Sequence, residues 1–230
     1  MRYPTTPLPA TLVERPNRFL AIVQLNGTPT PCHLPNPGRM VELMTPGKRV
    51  YLLPRQGEGR KTRYDLVLVD HDGVLVSVDS RAPNKLIAEA LERGALEPFQ
   101  GLRLEKAEPA VGSRRLDLLL TNKRGRVYIE AKSCTLVRGG VALFPDAPTS
   151  RGAHHMEALL GLVPKARTAV VFVVQRPDAH QFQPNDETDP QFARSLRKAV
   201  ASGVEAYAYK CRVTLEGVEV QDSVPVRLNG

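Results

Sequence analysis

The chain has 230 residues, 42% of them hydrophobic and 24% charged, with a formal net charge of +8. That length can bury a real core as one large domain or two small ones, and the composition is far from that of a disordered chain. With no run of about 18 apolar residues and no apolar leader in the opening segment, neither membrane insertion nor secretion is indicated, and a cytoplasmic protein is expected.

The first third is basic: residues 1–64 hold ten Lys/Arg and three Asp/Glu, +7 of the total, while the remaining 166 residues nearly balance. Such an excess suits phosphate-backbone binding, in which each neutralised phosphate releases counterions; a solubilising surface is the alternative. Five short β-like runs follow one another here: RFLAIVQL (18–25), TPTPCHL (28–34), KRVYLL (48–53), RYDLVLV (63–69) and VLVSVD (74–79). NPGRM, TPGK, RQGEG and DHDG separate them and supply the Gly, Pro and Asn/Asp that reverse a chain. Five short strands in about 65 residues predict a small closed barrel of the oligonucleotide-binding (OB) shape. We place it in residues 1–81, with the boundary in DSRA.

The period then changes. APNKLIAEALERG (82–94) predicts a helix with Leu86, Ala90 and Leu91 on one stripe, Asn84 as N-cap and Gly94 at the C-terminal cap. GLRLEKAEP is strand-like, and RRLDLLL and RVYIEAKS joined by TNKRG predict a hairpin. RGAHHMEALLGLV and DPQFARSLRKAVASG predict helices, TAVVFVVQ a buried strand and VEAYAYKCRVT a further strand. Residues 82–230 therefore form a second, mixed α/β domain. Cys32, Cys134 and Cys211 are odd in number and lack CxxC spacing, so they are expected to be reduced thiols and not disulfides or zinc ligands.

The hairpin carries the chemistry. Side chains alternate along a strand, so Glu130 and Lys132 point the same way, and the hairpin register can bring Asp117 beside them. Two carboxylates offer hard oxygen ligands to Mg2+ or Mn2+, and a neighbouring lysine can orient or help deprotonate a water: the equipment of phosphodiester hydrolysis. A solvated hairpin edge is the alternative, but the apolar flanks Leu118 to Leu120 and Val127 to Ile129 suggest central strands, where an unpaired charge is costly. The arrangement resembles the PD-(D/E)XK nuclease superfamily, with Leu116 where proline would precede the Asp. Glu89 on the preceding helix offers a third carboxylate, or else a solvent-facing helix residue. Gln175 and Arg176 end an apolar strand where polar side chains often reach a sheet's crevice, and could contact phosphate or simply terminate the strand.

Taken together, RFLAIVQLNG, HLPNPGRM, TPGKRV, NKLIAEAL, RLDLLL, VYIEAKSCTL, FPDAPTSRGAHH, VVFVVQRPD, FQPNDETDPQFA and GVEAYAY resemble the sugar fermentation stimulation protein A family almost end to end. The resemblance implies an OB barrel joined to a PD-(D/E)XK-type domain, DNA binding, and a regulatory role in sugar (maltose) metabolism. By motif, Asp117, Glu130 and Lys132 fall on the nuclease-like positions, with Asp117, Glu130 and Glu89 as metal ligands. Asn36, Gly38 and Arg39 fall on the PNPGRM loop, and Thr149, Arg151, Gly152 and His155 on a T-x-R-G-x-x-H block expected to close over the same cleft. Two departures stand out: Arg114-Arg115, with Ser113 one place earlier, where the family has Ser-Arg, and Glu157 one step before the family's acid, about 100° around a helix.

Two functions compete on these residues. One is a divalent-metal phosphodiesterase acting on DNA or RNA; the other is a non-catalytic DNA-binding regulator with an inactive nuclease-like domain. A sugar-binding module is a weaker third, because tryptophan is absent and aromatic residues are 5%. The same scarcity argues against a strong base-stacking platform and predicts steeply salt-dependent binding.

Overall fold

Short strands that bury one face need a surface that closes on itself, and the N-terminal third supplies one. A computed structural model describes residues 1–57, 59–112 and 114–229; Glu58 in the RQGEG turn, Ser113 and Gly230 lie outside the described residues. The barrel staves are β1 (Leu8–Asn17), β2 (Leu20–Leu25), β3 (Thr28–His33), β4 (Arg49–Pro54) and β5 (Tyr64–His71). They run in the order β3-β2-β1-β4-β5, and a His33–Asp65 pair joins β5 back to β3 and closes the ring. Five staves were expected, but the membership differs. β1, LPATLVERPN, carries Pro9 and Pro16 and buries only Ala10 and Leu12, so it lacks an alternating signature. The expected fifth stave, β6 (Val74–Ser77), instead extends the sheet beyond β5. Asn26-Gly27 and Asp72-Gly73 have positive φ at both residues, as two-residue hairpin turns that match strand twist require.

β4 and β5 are buried on both faces. Val50, Leu52, Leu66 and Val69 fill the barrel, whereas Tyr51, Leu53, Val67 and Leu68 point outward into a core shared with the second domain. That core holds Leu86 and Ile87 of α1 (Ala82–Glu92). The chain then forms β7 (Arg103–Ala107), the short pair β8 (Ala110–Val111) and β9 (Arg114–Arg115), β10 (Leu118–Asn122) and β11 (Gly125–Cys134). β12 (Leu136–Arg138), β13 (Val141–Phe144), α2 (Ser150–Leu162), β14 (Arg167–Val174) and β15 (Gln181–Pro184) follow. The fold ends with α3 (Pro190–Ala201), β16 (Glu205–Val213) and β17 (Val218–Val224).

The main sheet has the order β17-β16-β14-β11-β10-β7, with β11, β14 and β16 parallel. α1 covers one face through Leu86, Ile87 and Ala90, and α2 and α3 cover the other through Met156, Leu159, Phe192 and Leu196. Among the described residues no helix is long and apolar enough to cross a membrane. The three cysteines are buried and free, and burial pushes the Cys32 and Cys211 thiols up to about 12, which leaves little nucleophilic thiolate.

Asp65 marks the seam between the domains. It is 1% exposed, and it accepts from Arg81 (2.9 Å) at the start of α1 and from Arg60 and Arg55. Burial alone would raise its pKa; the Arg81 and Arg60 guanidinium groups outweigh burial and hold it below the ordinary 3.8. A depressed folded pKa gives stability that is present above 3.8 and lost as pH falls through the folded value. Asp65→Asn should therefore lower unfolding stability at pH 7 by about 1–3 kcal/mol, because three half-exposed arginines lose a charged acceptor yet stay hydrated. As the pH falls below 3.8 the gap between parent and variant should narrow; urea unfolding against pH reads both effects.

Candidate metal centre and nucleic-acid cleft

The hairpin register aligns Leu118 with Ile129, so Asp117, one residue before β10, lies across from Glu130. Its carboxylate is fixed from two sides: Oδ2 accepts from the Ala131 backbone N–H (2.8 Å) and Oδ1 from Asn84 Nδ2 (3.1 Å). Asn84 therefore does not cap α1. Arg81 occupies the cap position, Pro83 opens the first turn, and the Asn84 side chain reaches the hairpin. Gly94, at φ 68, does take the left-handed conformation expected after the helix.

Glu130 is 2% exposed. Lys132 Nζ lies 2.5 Å from its Oε1, and His155 Nδ1 of α2 meets the same oxygen. Arg151 Nε lies 3.3 Å from His155 Nε2 as a donor, which makes Nε2 the acceptor and leaves the ring proton on Nδ1, facing Glu130. Glu130 Oε2, by contrast, is buried with no hydrogen-bond partner among the described residues. Burial would raise the pKa of Glu130, but His155 and Lys132 more than offset it and hold the carboxyl ionised below its ordinary range. Asp117 is pushed the other way, by burial first and then by the negative charge of Glu130.

These side chains floor a cleft of about 970 Å³ between barrel and α/β domain. Its walls include Asn36, Gly38 and Arg39 of the PNPGRM loop, Asp146, Thr149 and Arg151. The loop residues divide the labour. Asn36 Nδ2 donates to Val78 O (3.0 Å) and its Oδ1 accepts from Gly38 N (2.8 Å), so this buried amide shapes the turn and does not face a ligand. Arg15, which no sequence motif singles out, donates to the carbonyls of Gly38 (2.7 Å), Asn36 and Arg39. Arg39 is left exposed, with its guanidinium unpaired among the described residues. Gly38 leaves room for Asp146: a Cβ there would lie 2.5 Å from Asp146 Oδ2, the oxygen that accepts from Met40 N, so that carboxylate would have to move. Gly38→Ala should detach Asp146 and loosen the loop, costing about 1–3 kcal/mol by thermal unfolding.

Thr149 and Gly152 are also architectural. Thr149 Oγ1 caps α2 by accepting from Gly152 N (3.0 Å), and a Cβ on Gly152 would lie 2.8 Å from Thr149 Cγ2 and 3.0 Å from Phe192.

Three expected site residues lie elsewhere. Glu89 follows Asn84 by five positions, about 140° around α1, and meets the Met1 amino group and Lys85, away from Asp117. It is therefore not the third ligand. Gln175 is fully buried between the domains: its Oε1 accepts from Ser77 Oγ (2.9 Å) and its Nε2 donates to Ser133 Oγ (2.8 Å) and Asp79 O (3.1 Å). Arg176 is 3% exposed and holds Asp178 through two 2.7 Å bonds. Neither can reach a phosphate: Gln175 fixes the seam beneath the cleft, and Arg176 ties Asp178 and the Thr135 carbonyl within the α/β domain.

Among the described residues no group of three or more His, Cys, Asp or Glu is spaced to enclose a metal. The donor set is thus two carboxylates with a lysine, which fits a hard divalent cation that keeps several waters, and the partnerless Glu130 Oε2 is the oxygen such an ion would satisfy.

The two sequence departures meet in space. Arg114 NH1 donates to His154 O (2.5 Å) and lies 3.8 Å from Glu157 Oε2, so the arginine in the serine's place and the displaced acid are partners. Ser113 itself is outside the described residues.

A five-stranded OB barrel welded to an α/β domain, with an acid pair and a lysine between them, defines a two-domain architecture of OB barrel plus mixed α/β domain. The family models agree on both parts: the SfsA N-terminal OB domain matches residues 13–78, and the sugar fermentation stimulation protein RE domain matches residues 81–217. The chain belongs to the sugar fermentation stimulation protein family. A homologue from Moorella thermoacetica is 48% identical over 98% of each chain, and one from Desulforamulus reducens is 45% identical over 95% of this chain and 92% of its own. The structure of SfsA from Pyrococcus furiosus in complex with Ca2+ superposes with a TM-score of 0.92, at 31% identity over 99% of this chain and 98% of that one.

Proposed function

We propose that this protein is a divalent-metal-dependent phosphodiesterase acting on nucleic acid, DNA in the first place, with RNA as the alternative substrate. The observation that carries the reading is the buried, partnerless Glu130 Oε2, beside Asp117 and Lys132 in a cleft rimmed by Arg39 and Arg151. Asp117 and Glu130 would hold Mg2+ or Mn2+, and the bound ion would supply Lewis-acid stabilisation of phosphoryl charge. The Ca2+ complex of the Pyrococcus furiosus relative supports an oxygen-rich site for a hard cation.

The chain's own residues do the rest. Lys132 keeps Glu130 ionised and is placed to orient a water for in-line attack, while His155 holds the other side of the same carboxylate oxygen. Asn84 and the Ala131 N–H fix the Asp117 rotamer. Arg39 and Arg151 offer planar donor forks to phosphate oxygens, held at the cleft mouth by the Arg15-stapled loop and the capped start of α2.

Incubation of labelled single- and double-stranded DNA and RNA with Mg2+ or Mn2+, against a chelator control, tests the proposal. Cleavage should require metal, fall by 10²-fold or more in Asp117→Asn and Glu130→Gln, and survive in Glu89→Gln. A second reading, a non-catalytic DNA-binding regulator of sugar (maltose) metabolism, draws support from the Lys132 ammonium already neutralising Glu130. Metal-independent binding without cleavage of any substrate would select it.

A further inference from the structure

The cleft does not end at Arg151. Beyond it lies a second hollow of about 530 Å³, lined by Arg114, Arg115, Ser150, Arg151, His154 and His155. Ser150, Arg151 and His155 line both spaces, so the two are continuous around the first turn of α2. Three arginines and an exposed histidine converge there, and the carboxylates that approach them, Glu157 at 3.8 Å and Glu108 at 3.3 Å, are solvent-exposed partners at its rim. Arg115 is 71% exposed, so burial gives it no packing role. The two exposed carboxylates offset only part of this charge, since neither Arg151 nor His154 has a carboxylate partner among the described residues, and the first turn of the 13-residue α2 adds its own positive end.

We infer that Arg114, Arg115, Arg151 and His154 bind backbone phosphates of a nucleic-acid strand that crosses the acid pair and continues beyond it. The inference rests on the nuclease reading and specifies its substrate. Arg39 holds the strand on the barrel side of Asp117 and Glu130, and the Arg114–Arg115 hollow holds it on the α2 side. A strand gripped on both sides presents an internal phosphodiester, so a free end is not needed.

The test measures binding of labelled oligonucleotides in chelator, where nothing is cut, across a range of salt. The parent should bind a 16-nucleotide strand much more tightly than a 4-nucleotide one, and a closed single-stranded circle as tightly as a linear strand of equal length. Arg114→Ala/Arg115→Ala should weaken binding of the long strand about tenfold and reduce the log-log salt slope by about 1.4, roughly 0.7 for each single-strand phosphate that is no longer neutralised. Because Arg114 also tethers His154 O, Arg115→Gln alone is the second variant, and its slope should fall by about half as much. If both variants match the parent while Arg39→Ala weakens binding, the second subsite is wrong and the nuclease reading stands. Loss of affinity on circularisation overturns the two-sided grip. A parent that binds no oligonucleotide in chelator overturns this inference, while cleavage in the presence of metal decides the nuclease reading separately.

Discussion

Asp117→Asn should leave the metal-free protein at least as stable as the parent and abolish its response to divalent cations. Burial and the facing Glu130 charge raise the Asp117 pKa above its ordinary 3.8. A carboxyl with a raised folded pKa opposes folding once the pH exceeds the unfolded value, so ionised Asp117 is a liability at neutral pH. The amide removes that charge and keeps the volume. Asn84 can rotate its own amide to accept where it now donates, and the Ala131 N–H still has an oxygen to meet. The parent, offered Mn2+ or Mg2+ at a hundred times its dissociation constant, gains about 2.7 kcal/mol. For a chain of this size that corresponds to a rise of about 5–11 °C in Tm. Thermal unfolding in chelator and in metal separates the two effects. An Asn variant that keeps the full metal-induced rise would remove Asp117 from the ligand set.

The second large effect lies at Lys132. Its ammonium is the cation on Glu130, which is 2% exposed, and Lys132→Met leaves that carboxylate buried with His155 as its remaining partner. Breaking a buried pair from one side costs about 3–5 kcal/mol, which translates here to a Tm lower by about 6–20 °C. Cleavage should fall by about 10²–10⁴-fold. Glu130→Gln in the same chain removes the stranded charge, so Glu130→Gln/Lys132→Met should regain most of the stability and none of the cleavage. That divergence separates a functional pair from a structural one. If the double variant stays as unstable as Lys132→Met, the loss comes from packing of the lysine stem and not from charge.

Much of this was legible in the chain because it depends on local periodicity. Two-residue alternation puts Glu130 and Lys132 on one face, and the short TNKRG connection brings Asp117 opposite them. Asp189 before Pro190 reads as a helix start, and its carboxylate does accept from Phe192 N (2.9 Å). What failed depends on packing between distant segments. Glu89 lies on the right helix but the wrong face, and only the position of Asn84 against Asp117 shows which face is which. Gln175 and Arg176 do stand at the end of a parallel strand, yet Ser77, Ser133 and Asp178 engage them before any ligand could. β1 was hidden by prolines, and β12, β13 and β15 by being three or four residues long, too short to establish a period. Arg15 looked like one more basic residue, since nothing nearby in sequence records the carbonyls of residues 36–39 that it gathers. The basic excess of the first 64 residues is accordingly only partly available to a ligand: Arg15, Arg55 and Arg60 are engaged within the fold.

Everything functional depends on two carboxylates sharing one cation. Anomalous diffraction from crystals soaked in Mn2+ measures that directly. A single strong peak is expected about 2.0–2.2 Å from an oxygen of Asp117 and from Oε2 of Glu130, with waters completing the shell. No peak there at millimolar Mn2+, or one held by a single carboxylate, would contradict it.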